Sequence, residues 1–186
     1  KVLGSLEFIN NHPKPGVVFI DDRHVRGNHA LRSEIVQDAA KKLKDQNITV
    51  VACLESRGFD YGALLADALG CGQIRLRKKG KLPDQGNLAE ENYALEYGAD
   101  CIQAQQDLFV STNQETRVVI VDDILATGAT MAAADRLVTK CGGTVVGRWV
   151  LCTLSTVVCD QYRYLLEDGK THAVCDIEDP STHLKI

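Results

Sequence analysis

The sequence contains no apolar run of about 18 residues, the length that a membrane-spanning helix needs. Its start does not have the layout of a signal peptide. Basic residues are not in excess, since the net charge is −4 at pH 7, and this argues against a general nucleic-acid-binding protein. The seven cysteines are an odd number without C-x-x-C spacing, which favours reduced, mostly buried thiols. We therefore expect a cytoplasmic protein with no membrane or nucleic-acid partner.

Two common nucleotide-binding signatures are also missing. The chain has no G-x-G-x-x-G turn, which argues against a dinucleotide-binding dehydrogenase. It has no G-x-x-x-x-G-K-[ST] loop either, which argues against a P-loop kinase.

Predicted helices and strands alternate along the chain. With 186 residues and 45% hydrophobic content, the chain suits a single domain with a sizeable core. Periodicity predicts helices at 3–10, 29–44, 58–69, 129–141 and 155–163, strands at 49–54, 73–77, 118–121, 144–152 and 173–177, a polar loop at 78–90, and a hairpin of 91–97 and 101–106 that turns at 98–100. This alternation predicts an α/β fold with a mostly parallel twisted sheet flanked by helices, and with ligands at the carboxyl ends of the strands.

The most informative segment is 118–130, which reads Val-Val-Ile-Val-Asp-Asp-Ile-Leu-Ala-Thr-Gly-Ala-Thr. Its four β-branched residues have no polar face, which predicts a strand in the middle of a covered sheet. Asp122 and Asp123 are expected where this strand leaves the sheet, followed by a short loop and the start of a helix. Backbone N–H groups and the hydroxyls of Thr127 and Thr130 would converge there on an anion, at the positive end of the helix dipole. The segment predicts a phosphate-binding loop.

The two carboxylates restrict what this loop binds. Carboxylates beside a phosphate repel it unless they hold something in between, such as sugar hydroxyls or a metal ion. A ribose 5-phosphate satisfies this geometry if its 2′ and 3′ hydroxyls donate hydrogen bonds to Asp122 and Asp123. The alternative is that the two acids merely cap the next helix. The complete pattern resembles the signature of the type I phosphoribosyltransferases, which bind phosphoribosyl pyrophosphate (PRPP).

Further segments resemble the adenine phosphoribosyltransferases in order and spacing. They are Glu55-Ser56-Arg57-Gly58-Phe59, Arg77-Lys78-Lys79-Gly80-Lys81-Leu82-Pro83, Leu95-Glu96-Tyr97-Gly98 and the opening stretch 13–21. The resemblance implies the type I phosphoribosyltransferase fold in one domain, residues 1–186, with a small N-terminal hood at approximately 1–28 and a flexible antiparallel hairpin loop at approximately 79–100. It also implies a homodimer.

The resemblance assigns two anion sites. The PRPP 5′-phosphate and ribose would be bound by Asp122, Asp123, Ala126, Thr127, Gly128, Ala129 and Thr130. The pyrophosphate would be bound by Glu55, Ser56, Arg57, Arg77, Lys78 and Lys81, with a cis peptide between Glu55 and Ser56. Arg77 would reach into the neighbouring subunit's site. The residues alone also allow a simpler interpretation, in which Arg57 is a solvated helix-start residue paired with Glu55 and the cations at 77–81 form a solvated face.

The implied reaction is displacement at the anomeric carbon of ribose, with pyrophosphate leaving. The implied cofactor is Mg²⁺, held mainly through PRPP with Asp122 and Asp123 nearby and with no direct protein ligand assured. The catalytic residues would be Arg57, Glu96 and Tyr97: Arg57 neutralises the departing charge, Glu96 relays a proton at the imidazole edge of adenine, and Tyr97 contacts phosphate oxygens. Glu96 and Tyr97 could also be an ordinary hairpin pair.

The resemblance places the base in the hood. Phe19 would stack on adenine, while the backbone groups of Val18 and Ile20 would contact its Watson–Crick edge. The alternative for Phe19 is an ordinary core aromatic. The chain departs from the family at Ile20, where arginine is common, at Asp60, where an apolar residue is usual, and over the stretch 153–160.

We therefore expect a purine salvage enzyme that converts adenine and PRPP into AMP and pyrophosphate. The alternatives are a phosphoribosyltransferase for another purine base, or a catalytically silent protein that binds PRPP or a nucleotide on the same fold.

Overall fold

The computed structural model of the chain describes residues 1–84, 86–95, 98–109 and 115–184. Within these ranges the strands are β1 (Glu7–Asn10), β2 (Val18–Asp21), β3 (Val50–Leu54), β4 (Gly72–Lys78), β5 (Leu88–Leu95), β6 (Gly98–Gln105), β7 (Arg117–Leu125), β8 (Thr144–Thr153) and β9 (Thr171–Asp176). Strands β3 to β9 form one sheet in the order β5-β6-β4-β3-β7-β8-β9. The pairs among β4, β3, β7, β8 and β9 are parallel, and β6 pairs antiparallel with both β4 and β5. The predicted mostly parallel sheet is confirmed.

Helices cover both faces of this sheet. The α-helices are α1 (Arg23–Gly27), α2 (His29–Leu43), α3 (Gly58–Leu69), α4 (Ala129–Lys140) and α5 (Tyr164–Glu167), and short 3-10 helices lie at Leu3–Ser5, Lys44–Gln46, Asp160–Tyr162 and Pro180–His183. Helix α4 packs on one face, and α2 and α3 belong to the cluster on the other. The predicted helices 29–44, 58–69 and 129–141 are therefore confirmed within a residue at each end.

The central strand β7 explains why the sheet is covered on both sides. Val118 and Ile120 point into the core beneath α4, and Val119 and Val121 point into the core beneath α2 and α3. All four side chains are fully buried. An apolar residue at every position is what a strand buried on both faces requires, because successive side chains alternate between those faces.

The N-terminal segment forms a small separate sheet. Strands β1 and β2 pair antiparallel, with Phe8 opposite Ile20 and Ile9 opposite Phe19. The prediction of a helix at 3–10 was wrong, since only Leu3–Ser5 is helical. Residues 7–10 become a strand because β2 supplies backbone partners and the Phe8 ring stacks on His183, 4.7 Å away. Tertiary contacts therefore override the local preference.

The hairpin and the region after β8 also differ from the sequence-based boundaries. The predicted turn at 98–100 belongs to strand β6, because Gly98, Ala99 and Asp100 pair with β5. Strand β5 begins at Leu88, inside the predicted loop at 78–90. The expected short helix at 155–163 is instead a 3-10 turn at Asp160–Tyr162 followed by α5. Among the residues that the structure describes, no helix is long and apolar enough to cross a membrane.

Candidate active site

Unequal strand pairing creates a step at the carboxyl end of β7. On one side β7 pairs with β3 only as far as Val121, opposite Cys53. On the other side it pairs with β8 as far as Leu125, opposite Thr153. Asp122 and Asp123 therefore lie beyond the last pair that β7 makes with β3, but still within its pairing with β8. The sequence predicted that the strand would end before these acids, whereas it continues through them.

The two acids are adjacent, with Asp122 half-buried and Asp123 buried. Asp123 is 6% exposed, and Asp122 accepts a hydrogen bond of 2.9 Å from the backbone N–H of Asp123. Burial raises the pKa of Asp122 well above its ordinary value, and repulsion from Asp123 raises it further. Burial also raises the pKa of Asp123, although the Arg57 charge opposes this effect. The pair therefore favours ligands that bring positive charge or hydrogen-bond donors.

The segment between β7 and α4 forms a concave pocket. It is lined by Asp122, Ile124, Leu125, Ala126, Thr127, Gly128, Thr130 and Met131. The structure thus brings the predicted phosphate-loop residues 126–130 to the N-terminus of α4, where free N–H groups and the helix dipole favour an anion. Gly128 has φ +92°, and a Cβ atom there would lie 2.7 Å from Cβ of Tyr162. The loop can adopt this shape only because glycine tolerates both constraints.

The second predicted anion loop, Glu55-Ser56-Arg57, lies between β3 and α3, next to the first. The peptide bond between Glu55 and Ser56 is cis, as the resemblance implied. Helix α3 begins at Gly58, where a Cβ atom would lie 3.1 Å from Cα of Asp122. The N-termini of α3 and α4 therefore open at the same edge of the sheet, on either side of the two acids.

The Arg57 guanidinium links this loop to the N-terminal sheet. Its Nη1 donates to the carbonyl oxygen of Ile20 at 2.9 Å and lies 3.8 Å from Oδ1 of Asp22. Its Nη2 lies 2.7 Å from Oδ2 of Asp123, and its Cζ lies 4.9 Å from the ring centroid of Phe19. Arg57 is therefore a half-buried cation that touches both predicted halves of the site. Because its guanidinium contacts Ile20 and Asp123, the interpretation of a solvated helix-start residue paired with Glu55 does not fit.

The predicted cluster of cations at 77–81 has members that contact Glu55 and members that lie on the surface. Arg77 donates from Nε to Oε2 of Glu55 at 3.0 Å, and the backbone N–H of Lys78 donates to the same oxygen at 2.8 Å. Burial acts to raise the pKa of Glu55, but these two hydrogen bonds outweigh it and hold that pKa below its ordinary value. Lys78 also pairs with Asp100 at 3.2 Å, whereas Lys81 is exposed. Arg77 and Lys78 therefore lie beside the Glu55 loop.

The predicted base-binding residues form strand β2. Phe19 is half-buried, with the edge of His12 at a centroid distance of 5.0 Å, and Ile20 is 3% exposed. Val18 is half-buried as well. Their position beside Arg57 brings the N-terminal sheet to the same edge as the two anion loops. The predicted residues Glu96 and Tyr97 lie outside the described residues.

The divergent stretch 153–160 is attached to the phosphate loop. Thr153 and Ser155 donate from their hydroxyls to the carboxylate of Asp176, at 2.5 and 2.6 Å. The backbone N–H of Cys159 donates to the carbonyl oxygen of Thr127 at 3.0 Å. The divergent stretch is therefore in direct contact with the phosphate loop.

Sequence reasoning missed Asp22 and its partner Tyr61. Asp22 is fully buried and accepts a hydrogen bond of 2.7 Å from the Tyr61 hydroxyl. The available signal was an acid immediately after an apolar strand, together with the unusual polar pair Asp60-Tyr61 at the start of a helix.

The two acids of β7 fit a cation that arrives with its own ligands. Oδ2 of Asp123 is buried and has no hydrogen-bond partner, since its contact with Arg57 lacks hydrogen-bond geometry. In the part of the chain that the structure describes, no three His, Cys, Asp or Glu side chains are grouped as a metal cage. Mg²⁺ binds oxygen ligands and usually keeps several that the protein does not supply. The site therefore suits Mg²⁺ bound mainly to a phosphorylated ligand.

The chain is similar to known proteins over most of its length. A family model of the phosphoribosyl transferase domain matches residues 27–179. The adenine phosphoribosyltransferase of Idiomarina loihiensis is 40% identical over 142 residues, which cover 76% of this chain and 77% of that protein. The crystal structure of adenine phosphoribosyltransferase from Thermoanaerobacter pseudethanolicus has a TM-score of 0.84 at 32% identity, covering 95% of this chain and 98% of that one. The Saccharomyces cerevisiae enzyme, complexed with an imino-altritol bisphosphate and adenine, has a TM-score of 0.76 at 30% identity and 94% coverage of both chains.

Proposed function

The chain belongs to the phosphoribosyltransferase family and within it to the adenine phosphoribosyltransferases, and from this premise we propose how its residues transfer the phosphoribosyl group of PRPP to adenine, giving AMP and pyrophosphate. The observation that supports the assignment best is the position of Arg57. Its guanidinium contacts Asp123 in the phosphate-loop strand and Ile20 in the hood. One side chain therefore joins two half-sites, the sugar-phosphate site at the end of β7 and the base site in the hood. A transferase needs such proximity, because the base must attack a sugar held by its phosphate.

The sugar phosphate occupies the step at the end of β7. The 5′-phosphate lies in the pocket at the N-terminus of α4, where backbone N–H groups of the loop and the Thr127 and Thr130 hydroxyls donate to it. The ribose hydroxyls donate to Asp122 and Asp123. Ionised carboxylates are strong acceptors, so these hydrogen bonds also fix the orientation of the anomeric carbon.

Mg²⁺ fits the same place. When bound through PRPP, it supplies positive charge that stabilises the pyrophosphate leaving group. Asp122 and Asp123 would be the residues that hold it, and their raised pKa values would fall in its presence, because an opposite charge favours the ionised form.

The chain's own cations stabilise the departing pyrophosphate. The Glu55 loop supplies Arg57, and the end of β4 with the segment after it supplies Lys78 and Lys81. Arg77 lies beside them and donates from Nε to Glu55. Arginine contacts two phosphate oxygens at once, whereas lysine acts as a mobile point charge. Donors placed where negative charge develops lower the barrier without having to reorganise during the reaction.

The base binds against the hood. The Arg57 guanidinium lies over one face of the Phe19 ring, 4.9 Å from its centroid. Adenine stacks on the opposite face of that ring. The carbonyl group of one flanking residue accepts from the exocyclic amine, and a backbone N–H donates to N1. Glu96 then relays the imidazole proton, and Tyr97 contacts phosphate oxygens, in the roles that the family resemblance implies.

The proposal includes two features of the whole protein. The enzyme acts as a homodimer in which Arg77 exchanges its intrachain contact with Glu55 for the pyrophosphate of the neighbouring subunit. It works in the cytoplasm, a prediction based on seven cysteines without C-x-x-C spacing.

A pyrophosphate-release assay tests the proposed function. The purified chain is incubated with Mg²⁺ and PRPP and with adenine, guanine, hypoxanthine or xanthine in turn. We expect release with adenine and preference over hypoxanthine by at least about 2 kcal/mol, since a 6-oxopurine presents an acceptor where the backbone also presents one. Release with another base alone would assign a different purine. PRPP binding without release from any base would indicate a catalytically silent protein.

A further inference from the structure

Asp22 is a fully buried acid at the base of the hood. Its Oδ2 accepts from the Tyr61 hydroxyl at 2.7 Å, and its Oδ1 lies 2.9 Å from Nε of Arg26. A carboxylate without exposure to water persists only when such partners compensate for its lost hydration. Burial raises the pKa of Tyr61, and the Asp22 charge raises it further, so Tyr61 remains a neutral donor. The proposed reaction does not use either residue.

This acid faces the cation that joins the two half-sites. The Arg57 guanidinium lies between Oδ1 of Asp22 at 3.8 Å and Oδ2 of Asp123 at 2.7 Å. Its Nη1 donates to the carbonyl oxygen of Ile20 at 2.9 Å. Because the guanidinium is planar and its donors are fixed, charges on two sides determine which way the remaining N–H groups point.

We propose that Asp22, held by Tyr61 and Arg26, is a positioning residue that orients Arg57 and thereby anchors the hood strand β2 to the core. The inference rests on the proposed function for its kinetic consequence only. The Ile20 carbonyl oxygen has two lone pairs, so one accepts from Arg57 while the other accepts from the amine of the base. Without Asp22 the guanidinium turns toward Asp123, and Ile20 loses the donor that holds its carbonyl group in place.

Asp60 provides a matched control. It pairs with the same arginine as Asp22, through Nη1 of Arg26 at 3.2 Å, and its side chain is 52% exposed. The side chain of Asp60 makes no hydrogen bond or ion pair with Arg57 among the described contacts. The backbone N–H of Asp60 donates to the carbonyl oxygen of Arg57 at 3.2 Å, and Asp60→Asn leaves this bond in place. Asp60→Asn therefore removes one negative charge from the same cluster without touching the proposed anchor.

The first readout needs no substrate. Hydrogen–deuterium exchange is measured over residues 7–21 in the wild type, Asp22→Asn, Tyr61→Phe and Asp60→Asn. We expect hood amides to exchange about tenfold faster or more in Asp22→Asn, since anchoring contacts set the frequency of local opening. Tyr61→Phe keeps the ring that packs against Trp149 at 5.4 Å and loses only the hydroxyl, so it tests the anchor if Asp22→Asn fails to fold. Wild-type exchange in a folded Asp22→Asn or Tyr61→Phe would overturn the proposal.

The second readout separates positioning from a general structural role. Steady-state kinetics should show an adenine KM about tenfold higher in Asp22→Asn and a smaller increase in the PRPP KM. The base depends on the hood, whereas PRPP loses only part of its contact with Arg57 and keeps the phosphate loop. Equal increases in both KM values would overturn the positioning role. A wild-type chain without activity on any base would count against the proposed function and not against the anchor, which the exchange measurement tests independently.

Discussion

Gly58 packs so closely on Val121 that a Cβ atom on Gly58 would lie 2.5 Å from the Val121 carbonyl oxygen. Real Cβ atoms essentially never approach so closely, and the contacting atom is backbone, which cannot rotate away. The absence of a side chain at the first residue of α3 is therefore what allows the two anion loops to lie side by side.

We expect Gly58→Ala to lower the free energy of unfolding by about 1–3 kcal/mol, because the added methyl group must separate α3 from β7. Gly27→Ala is the control, since a Cβ atom at Gly27 meets nothing within 4 Å. Denaturant unfolding measures both. Equal stabilities of the two variants would contradict the close approach.

Asp122→Asn should weaken Mg–PRPP binding by about tenfold or more, because a neutral amide is a weaker acceptor for sugar hydroxyls than a carboxylate. Isothermal titration with Mg–PRPP measures this effect. Unchanged affinity would refute the assignment of the two acids to the sugar phosphate.

The same variant should be at least as stable as the wild type at neutral pH. The folded-state pKa of Asp122 is raised above the ordinary 3.8 of the unfolded chain. The carboxyl group therefore costs no stability below about pH 4, costs more as the pH rises from there toward the folded-state pKa, and carries its full cost above that pKa. The melting temperature of Asp122→Asn minus that of the wild type should be largest near neutral pH and fall toward zero on acidification. A difference that increases on acidification would have the wrong sign for a raised pKa.

Phe19→Ala should raise the adenine KM about 5- to 150-fold, since base–aromatic stacking contributes about 1–3 kcal/mol. The affinity for PRPP should change little, because the phosphate loop lies on other elements. Phe19→Leu keeps apolar volume without an aromatic face and should give an intermediate KM. An adenine KM that is insensitive to both substitutions would make Phe19 an ordinary packing residue.

Arg77→Ala subunits mixed with Asp122→Asn/Asp123→Asn subunits should recover part of the activity. In such a heterodimer one of the two sites has intact acids and receives an intact Arg77 from its neighbour. The measurement is turnover against mixing ratio, with each mutant homodimer as the baseline. Full activity in a dilute monomer would show that Arg77 acts within its own chain.

The elements with strong patterns were predictable from the sequence, and those formed by pairing were not. A run of four β-branched residues predicts strand β7, and an alanine-rich segment predicts helix α4. Each of these patterns is typical of one kind of element only. The N-terminal strands were missed because Phe8 and Ile9 become a strand only when β2 lies beside them. Local propensity is weak information for an edge pair of four residues.

The candidate site shows the same division. The phosphate loop and the Glu55 loop were predictable because each is a contiguous motif at a strand end. The contacts of Arg57 were not, since Ile20 and Asp123 are 37 and 66 positions away from it and on different elements. Asp22 was missed for the same reason. Its role depends on Tyr61, which a helix brings to it.

The unequal pairing of β7 makes the location of the site a property of the main chain. The step exists because one ladder stops at Val121 and the other continues to Leu125, and hydrogen bonds between backbones do not depend on side-chain identity. Replacing surrounding side chains therefore alters which molecule occupies the step before it alters where that molecule lies. Substitutions in such a chain can therefore change which base it prefers while the position of its sugar-phosphate site stays the same.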